Sequence, residues 1–248
     1  MSALLRAEAR KILSTRSTLV VAGFVILYPA LSLLPAVLAD QQPVVDDSTI
    51  LDILRGGAGV LTLAALMLGI VAVAGEHRHG TIVPTLLASP RRGRFLAAKL
   101  GSQAGLGVVL ALAVSAVGLV VGTAYLATRD VSVDLLSSDV LLTVVATTMV
   151  VTLYAVIGTA VGALVRNQTA AVAGALIWVL AVENAIPLVL RNPGLKRWLP
   201  GGLSDRLLQV ADPAAGTGSA WLALAMFAGV AVVLSGAALA ATKTADVH

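Results

Sequence analysis

The 248-residue sequence contains no cysteine, which excludes disulfides, thiolate metal sites and cysteine nucleophiles. Charge is scarce as well. Only 12% of residues are Asp, Glu, Lys or Arg, about half the share found in soluble domains. Seventeen basic and 13 acidic side chains cannot furnish the water-facing surface of a 25.1 kDa globule. Aromatics make up 4%, which disfavours a drug pocket lined by stacked rings. The phosphate-binding pattern Gly-x-x-x-x-Gly-Lys-Ser/Thr is missing: the one Lys-Thr pair, Lys243-Thr244, follows Thr242 where glycine is required. Hydrolytic chemistry inside a membrane needs a base and a nucleophile buried together. His77, His79 and His248 all lie outside the apolar runs, no His-Glu-x-x-His occurs, and Ser235-Gly236 has Val233 where Gly-x-Ser-Gly needs glycine. His77 and His79 diverge on a helix and have no third ligand nearby in the sequence, so no metal site is expected.

What is abundant is apolar length. Hydrophobic residues make up 58% of the chain, the mean hydropathy is +0.95, and the apolar residues fall in six runs: 18–39, 56–75, 98–127, 139–165, 169–190 and 220–241. About twenty apolar residues cross a ~30 Å hydrocarbon layer as a helix. Lipid leaves only helices or closed barrels, and barrel strands would alternate over ~10-residue segments. These runs are uninterrupted. The expectation is therefore an all-α integral membrane protein with six transmembrane helices, forming one domain over 1–248. Pro29, Pro35 and Pro187 are tolerated in such helices, and the long third and fourth runs imply tilt or protruding ends. Val37-Leu38-Ala39 resembles a signal cleavage site, but the run before it is longer than the 7–15 residues of a signal core, so the first run is expected to remain as a span.

The basic residues set the orientation. Arg6, Arg10, Lys11, Arg16, Arg78, Arg91, Arg92, Arg94, Lys99, Arg166 and Lys243 fall on one side; Arg55, Arg129, Arg191, Lys196, Arg197 and Arg206 fall on the other. The richer side is expected to be cytoplasmic, with both termini. The net charge of +4 then reports topology, and nucleic acid is not an expected partner. The segment 191–219 runs against the bias, which suggests local structure that its charges serve. Four lysines against thirteen arginines, with abundant alanine, fit a high-GC bacterial genome and hence a bacterial plasma membrane.

Two segments outside the runs carry pattern. Residues 4–16 set Leu5, Ala9, Ile12 and Leu13 at helical spacing among Arg6, Glu8, Arg10 and Lys11, an amphipathic helix suited to the headgroup layer or a basic stub that fixes topology. Residues 76–95 include Thr81, a candidate cap, then Ile82, Leu86 and Leu87 as an apolar stripe, and Pro90 followed by arginines. A short helix there can seat in a groove of a soluble partner; equally, its arginines can bind anionic lipid.

On these residues the chain resembles the type-2 permeases of ATP-binding-cassette exporters. The resemblance rests on Glu76 with Gly80 and Thr81, the pair Leu86-Leu87, Pro90, Arg91, Arg92 and Lys99. The stretch Leu5 to Lys11 with Ser14-Thr15-Arg16 is similar to that family's amphipathic connecting helix. Trp178 to Glu183 with Arg197-Trp198-Leu199-Pro200 is similar to its fifth helix and the re-entrant segment that follows. The resemblance implies that 76–95 is a cytoplasmic coupling helix, and that Glu76, Gly80, Thr81, Leu86, Leu87, Pro90, Arg91 and Arg92 meet a cytoplasmic ATPase. It also implies a working unit of two ATPase subunits and two permease copies, with Mg-ATP held by the ATPase and no cofactor in this chain.

Glu183 is the one acid in the interior of a run; Asp139 only opens one. A charge near the bilayer centre costs a few kcal/mol, so Glu183, beside Asn184, is expected to face protein or water, either along a translocation path or gate or in a structural network with Asn184. Gly101/Gly105, Gly118/Gly122 and Gly158/Gly162 are four apart, the spacing of close helix contacts; they can make a dimer contact, but packing within the chain is expected. Trp198 and Trp221 read as interfacial anchors. The competing functions are a secondary transporter, which would place several ionisable groups near the midplane, and a structural membrane subunit with no ATPase.

Overall fold

The computed structural model describes residues 16–34, 48–78, 92–211 and 217–244. Among these residues the chain is helical, without strands. The elements are α1 (Arg16–Ser32), α2 (Thr49–Arg78), α3 (Arg92–Ala127), α4 (Ser138–Val165) and α5 (Gln168–Ile177). A π turn (Trp178–Val182) and α6 (Glu183–Val189) continue α5, and a 3₁₀ turn (Pro193–Trp198), α7 (Pro200–Leu208) and α8 (Thr217–Thr244) complete the order. Among the described residues, five spans are long and apolar enough to cross a membrane: those in α2, α3, α4 and α8, and the composite Gln168–Val189. The first expected span is described only in part: α1 is helical for 17 residues and holds a shorter apolar helix, Leu19–Ser32, while 35–47 lie outside the described residues.

Local sequence explains the ends. Ser137 caps α4 by accepting from the Val140 amide, and Asp139 adds an acid to the first turn. Arg166 closes α4 in the left-handed conformation with φ 54°, donating its amide to the Gly162 carbonyl. Asn167 then caps α5 through the Ala170 amide. The helices also run past the apolar runs: α2 extends through Glu76 to Arg78, and α3 begins at Arg92 rather than near 98.

α2 and α4 form the centre. α4 packs on α2, α3 and α8, while α1 lies against α2 and α3. Over half of the α2 span is buried (56%), against 6% of Gln168–Val189, which makes that span the peripheral one. Lipid is as apolar as leucine, so burial alone does not pull helices together and close packing must. It does so at glycines. A β-carbon on Gly158 would collide with the Leu66 carbonyl oxygen and stand 3.1 Å from the Leu66 Cα; one on Gly162 would stand 2.6 Å from the Ile70 carbonyl oxygen; one on Gly69 would stand 2.8 Å from the Thr159 amide nitrogen. The backbones of α2 and α4 thus touch directly. Gly118 and Gly122 of α3 receive Leu54 and Ile50 of α2. Gly101 and Gly105 do not follow the expectation: both are exposed, and a β-carbon on Gly105 would meet nothing within 4 Å. Beyond the glycines, Tyr154 of α4 meets Phe227 of α8 edge-on at 5.1 Å.

Gly158→Leu is expected to lower the thermal unfolding midpoint of the purified protein, at a cost of about 1–3 kcal/mol for overpacking. Gly229→Ala, where a β-carbon meets nothing within 4 Å, should leave the midpoint unchanged or raise it.

Candidate functional site

Two buried acids organise opposite ends of the bundle. At the end where α2 stops and α3 starts, Lys99 Nζ donates to Glu76 Oε1 at 3.0 Å and to the Ala72 carbonyl at 2.9 Å, and sits 5.1 Å from the centre of the Phe95 ring. Both side chains are almost wholly buried, at 1% exposure for Lys99 and 4% for Glu76. Isolated, either charge would be costly in this setting. Paired, and with a helix carbonyl and an aromatic face around the ammonium, both can be kept. The pair joins residues 23 apart in sequence and so ties together the roots of the stretch 79–91. Arg166 closes another link at this end, donating to the Ala241 carbonyl of α8 at 3.1 Å.

Of the residues expected to meet an ATPase, Glu76 and Arg92 lie in helices at the two roots. Gly80, Thr81, Leu86, Leu87, Pro90 and Arg91 lie outside the described residues, as does 4–15 of the expected amphipathic helix. Glu76 therefore belongs to the last turn of α2 rather than to a loop, and its partner Lys99 to the third helical turn of α3. Sequence reasoning placed both residues and missed the pair. The available signal was opposite charge just inside the facing ends of two consecutive apolar helices.

At the other end stands Glu183. Its position follows from the π turn, in which the Glu183 amide donates to the Trp178 carbonyl. In an α-helix residues five apart diverge by about 140°; the wider i→i+5 turn stacks them instead. Trp178 Nε1 accordingly donates to Glu183 Oε1 at 2.8 Å. The other oxygen, Oε2, accepts from the Gly201 amide at 2.8 Å. Gly201 follows Pro200 in the first turn of α7, where amides lack partners within the helix and where Leu199, at the cap position, offers no side-chain acceptor. Glu183 acts as the missing cap, and its charge suits the positive end of the helix. A β-carbon on Gly201 would collide with Glu183 Oε2, so only glycine permits this approach.

α7 is held at its far end too. Arg55 of α2 donates from Nε to the Leu208 carbonyl at 3.2 Å and pairs with Asp52 at 3.4 Å, which sets a cation at the negative end of the helix. Between the ends, Leu203, Ser204 and Leu207 are buried, and Ser204 Oγ lies 3.5 Å from the Tyr154 hydroxyl. Two of the four basic residues of 191–219 serve this structure: Arg197 and Arg206 stand 5.2 Å and 5.6 Å from the Trp198 ring. The region expected as a re-entrant segment or loop is thus, over 193–208, a 3₁₀ turn followed by an α-helix. The expected network of Glu183 with Asn184 is not formed. Asn184 is exposed and donates to the Leu180 carbonyl at 3.1 Å, because consecutive helical residues point about 100° apart.

A membrane bundle with two buried acids, one at each end, is open to several transport designs, and the sequence pattern decides between them. The model of the family described as ABC-2 family transporter protein matches residues 3–193. The chain belongs to the ABC-2 transporter family. No curated protein matches it. An ABC-2 membrane protein is a permease subunit of an ABC transporter, which works with an ABC ATPase subunit and is generally not catalytic itself. The match spans α1 to α6 and so includes both Glu76–Lys99 and Glu183; α7 and α8 lie beyond it.

Two outcomes are expected. Glu76→Gln and Lys99→Met should each destabilise the protein by about 3–5 kcal/mol, and the double variant should recover most of the loss; thermal unfolding of all four proteins in one lipid measures the coupling. Glu183→Ala should accelerate hydrogen exchange at the Gly201 amide by roughly fivefold or more, the equivalent of the ~1 kcal/mol of a lost cap, and Glu183→Gln should restore part of the protection.

Proposed function

We propose that this chain is the membrane half of an ATP-driven exporter in a bacterial plasma membrane, with both termini cytoplasmic. Two copies form a homodimer and each seats one ATPase subunit, which alone holds Mg-ATP. The segment 76–95 is the coupling element. Gly80, Thr81, Leu86, Leu87, Pro90, Arg91 and Arg92 contact the ATPase, and Glu76 anchors that contact to the bundle. The observation that carries the reading is the buried Glu76–Lys99 pair. It makes α2 and α3 move as one unit at the roots of 79–91, so a push on that stretch reaches the central α2–α4 contact without being absorbed by separation of the helices. The family membership supplies the ATPase partner. The excess of basic residues at this end supports its cytoplasmic placement.

At the opposite end, Glu183 is the gate residue: it couples the peripheral span to α7, and α7 closes over the bundle. Asn184 takes no part in that contact and faces away from it. Cargo passes between the two permease copies when the ATPases close.

Co-expression with an ABC ATPase subunit from the same genome is expected to give a stable complex whose hydrolysis falls at least tenfold when Gly80-Thr81 is replaced by Pro-Pro, with assembly retained. A chain that stays monomeric and captures no ATPase overturns the proposal.

A further inference from the structure

A half-open groove of about 380 Å³ is formed by a single copy of the chain, between α2, α4, the Gln168–Val189 span, the start of α7 and α8. Its volume falls within the ~300–1,000 Å³ of small-molecule sites. The shape follows from its lining. Along the peripheral span it reaches from Ala170 to Glu183, thirteen residues or about 20 Å of helix rise, so it is a slot along the membrane normal rather than a round pocket. Most of that length is walled by aliphatic side chains such as Ile157, Val161, Val230 and Leu234. Polar groups gather at one end only, where Tyr154, Trp178 and Glu183 contribute.

The chemistry of that end is one-sided. A carboxylate offers about four acceptor positions, and Glu183 uses one on each oxygen, for Trp178 Nε1 and the Gly201 amide. No lysine or arginine lines the groove among the described residues, so within the slot the acid has hydrogen-bond donors but no cation. A buried carboxylate in a dry setting gains most from a positively charged partner that also donates N–H bonds. A long apolar slot with such an end fits a molecule with one alkyl chain and one ammonium head.

We propose that this slot binds single-chain lipophilic amines, with the ammonium on Glu183 and the chain along α4 and α8 toward Val165. The site is built wholly within one copy and does not depend on the ATPase reading; an amine held there is a ligand of the permease whether or not it is cargo. A neutral alcohol of the same length can fill the slot but brings no countercharge to Glu183. A fatty acid sets like charges together and is rejected. Gly174 supplies an independent handle: it lines the slot, and a β-carbon there meets nothing within 4 Å. A large side chain at 174 therefore has open space at the slot's edge, nine residues along the helix from Glu183.

The test uses the full chain in phosphatidylcholine nanodiscs, with Trp198→Phe and Trp221→Phe so that Trp178 emission reports alone. Dodecylamine, dodecan-1-ol and dodecanoate are titrated, saturation distinguishing a site from partition into lipid. Dodecylamine is expected to half-saturate at about tenfold lower concentration than dodecanol, the tenfold that ~1.4 kcal/mol of charge-assisted hydrogen bonding provides, and dodecanoate is expected not to saturate. Glu183→Gln should bring amine and alcohol to parity, and Gly174→Phe should abolish saturable binding of both. Equal binding of amine and alcohol by the parent chain, an amine preference that survives Glu183→Gln, or normal binding by Gly174→Phe overturns the proposal. If Glu183→Gln does not assemble, the amine-to-alcohol ratio of the parent and the Gly174→Phe titration decide. Because no ATPase is present, a negative result leaves the ABC-2 reading untouched.

Discussion

The direct contact between the α2 and α4 backbones is the constraint from which the remaining arrangement follows. In lipid, apolar side chains gain little by leaving one apolar surface for another, so two helices stay together only where their surfaces meet closely over a long line. Gly69, Gly158 and Gly162 remove the side chains that would hold the backbones apart. With that axis fixed, α3 can lay Gly118 and Gly122 over the Ile50–Leu54 face of α2, which brings Lys99 to Glu76. Likewise α4 presents Tyr154 to Phe227 on one side and to Ser204 on the other, which seats both α8 and α7 on the same helix.

Charge inside this bundle is tolerated only where geometry answers it. Three buried or half-buried ionisable groups, Glu76, Glu183 and Arg55, meet three different kinds of partner: an ammonium, the amide of a helix start and the carbonyl of a helix end. The partners are provided by other elements in each case, so each charge binds two parts of the chain together. A scarcity of charge in the sequence thus becomes a small number of fixed tie points in the fold.

Much of the architecture was legible in the residues because the requirement of lipid is blunt: twenty apolar residues must be helical. The ends of the helices were not, since α2 and α3 continue into polar turns where nothing in the apolar pattern marks a boundary. The π turn was invisible for a related reason. Trp178–Val182 has the composition of any apolar helix, and only its hydrogen bonds shift the register by one residue. Glu183 could be singled out as the acid within a run, but its partner Gly201 lies 18 residues away on a helix hidden in what reads as a basic loop. The Glu76–Lys99 pair required knowing that two helices run antiparallel and in which rotation. Spacing alone also could not tell Gly158/Gly162, which meets a neighbour's backbone, from the exposed pair Gly101/Gly105.

The nine-residue helix α7, about 13 Å long, has one end fastened to α2 through Arg55 and the other to the peripheral span through Glu183. It is in mechanical terms a connecting rod. α2 belongs to the tightly packed axis, and the Gln168–Val189 span, whose α5 part packs on α2 and α4, is the least buried of the spans. If that span leans outward, a rod of fixed length cannot keep both fastenings by stretching; it must tilt on its seat against α4 and α8. Lateral movement of the span is thereby converted into tilting of a short helix.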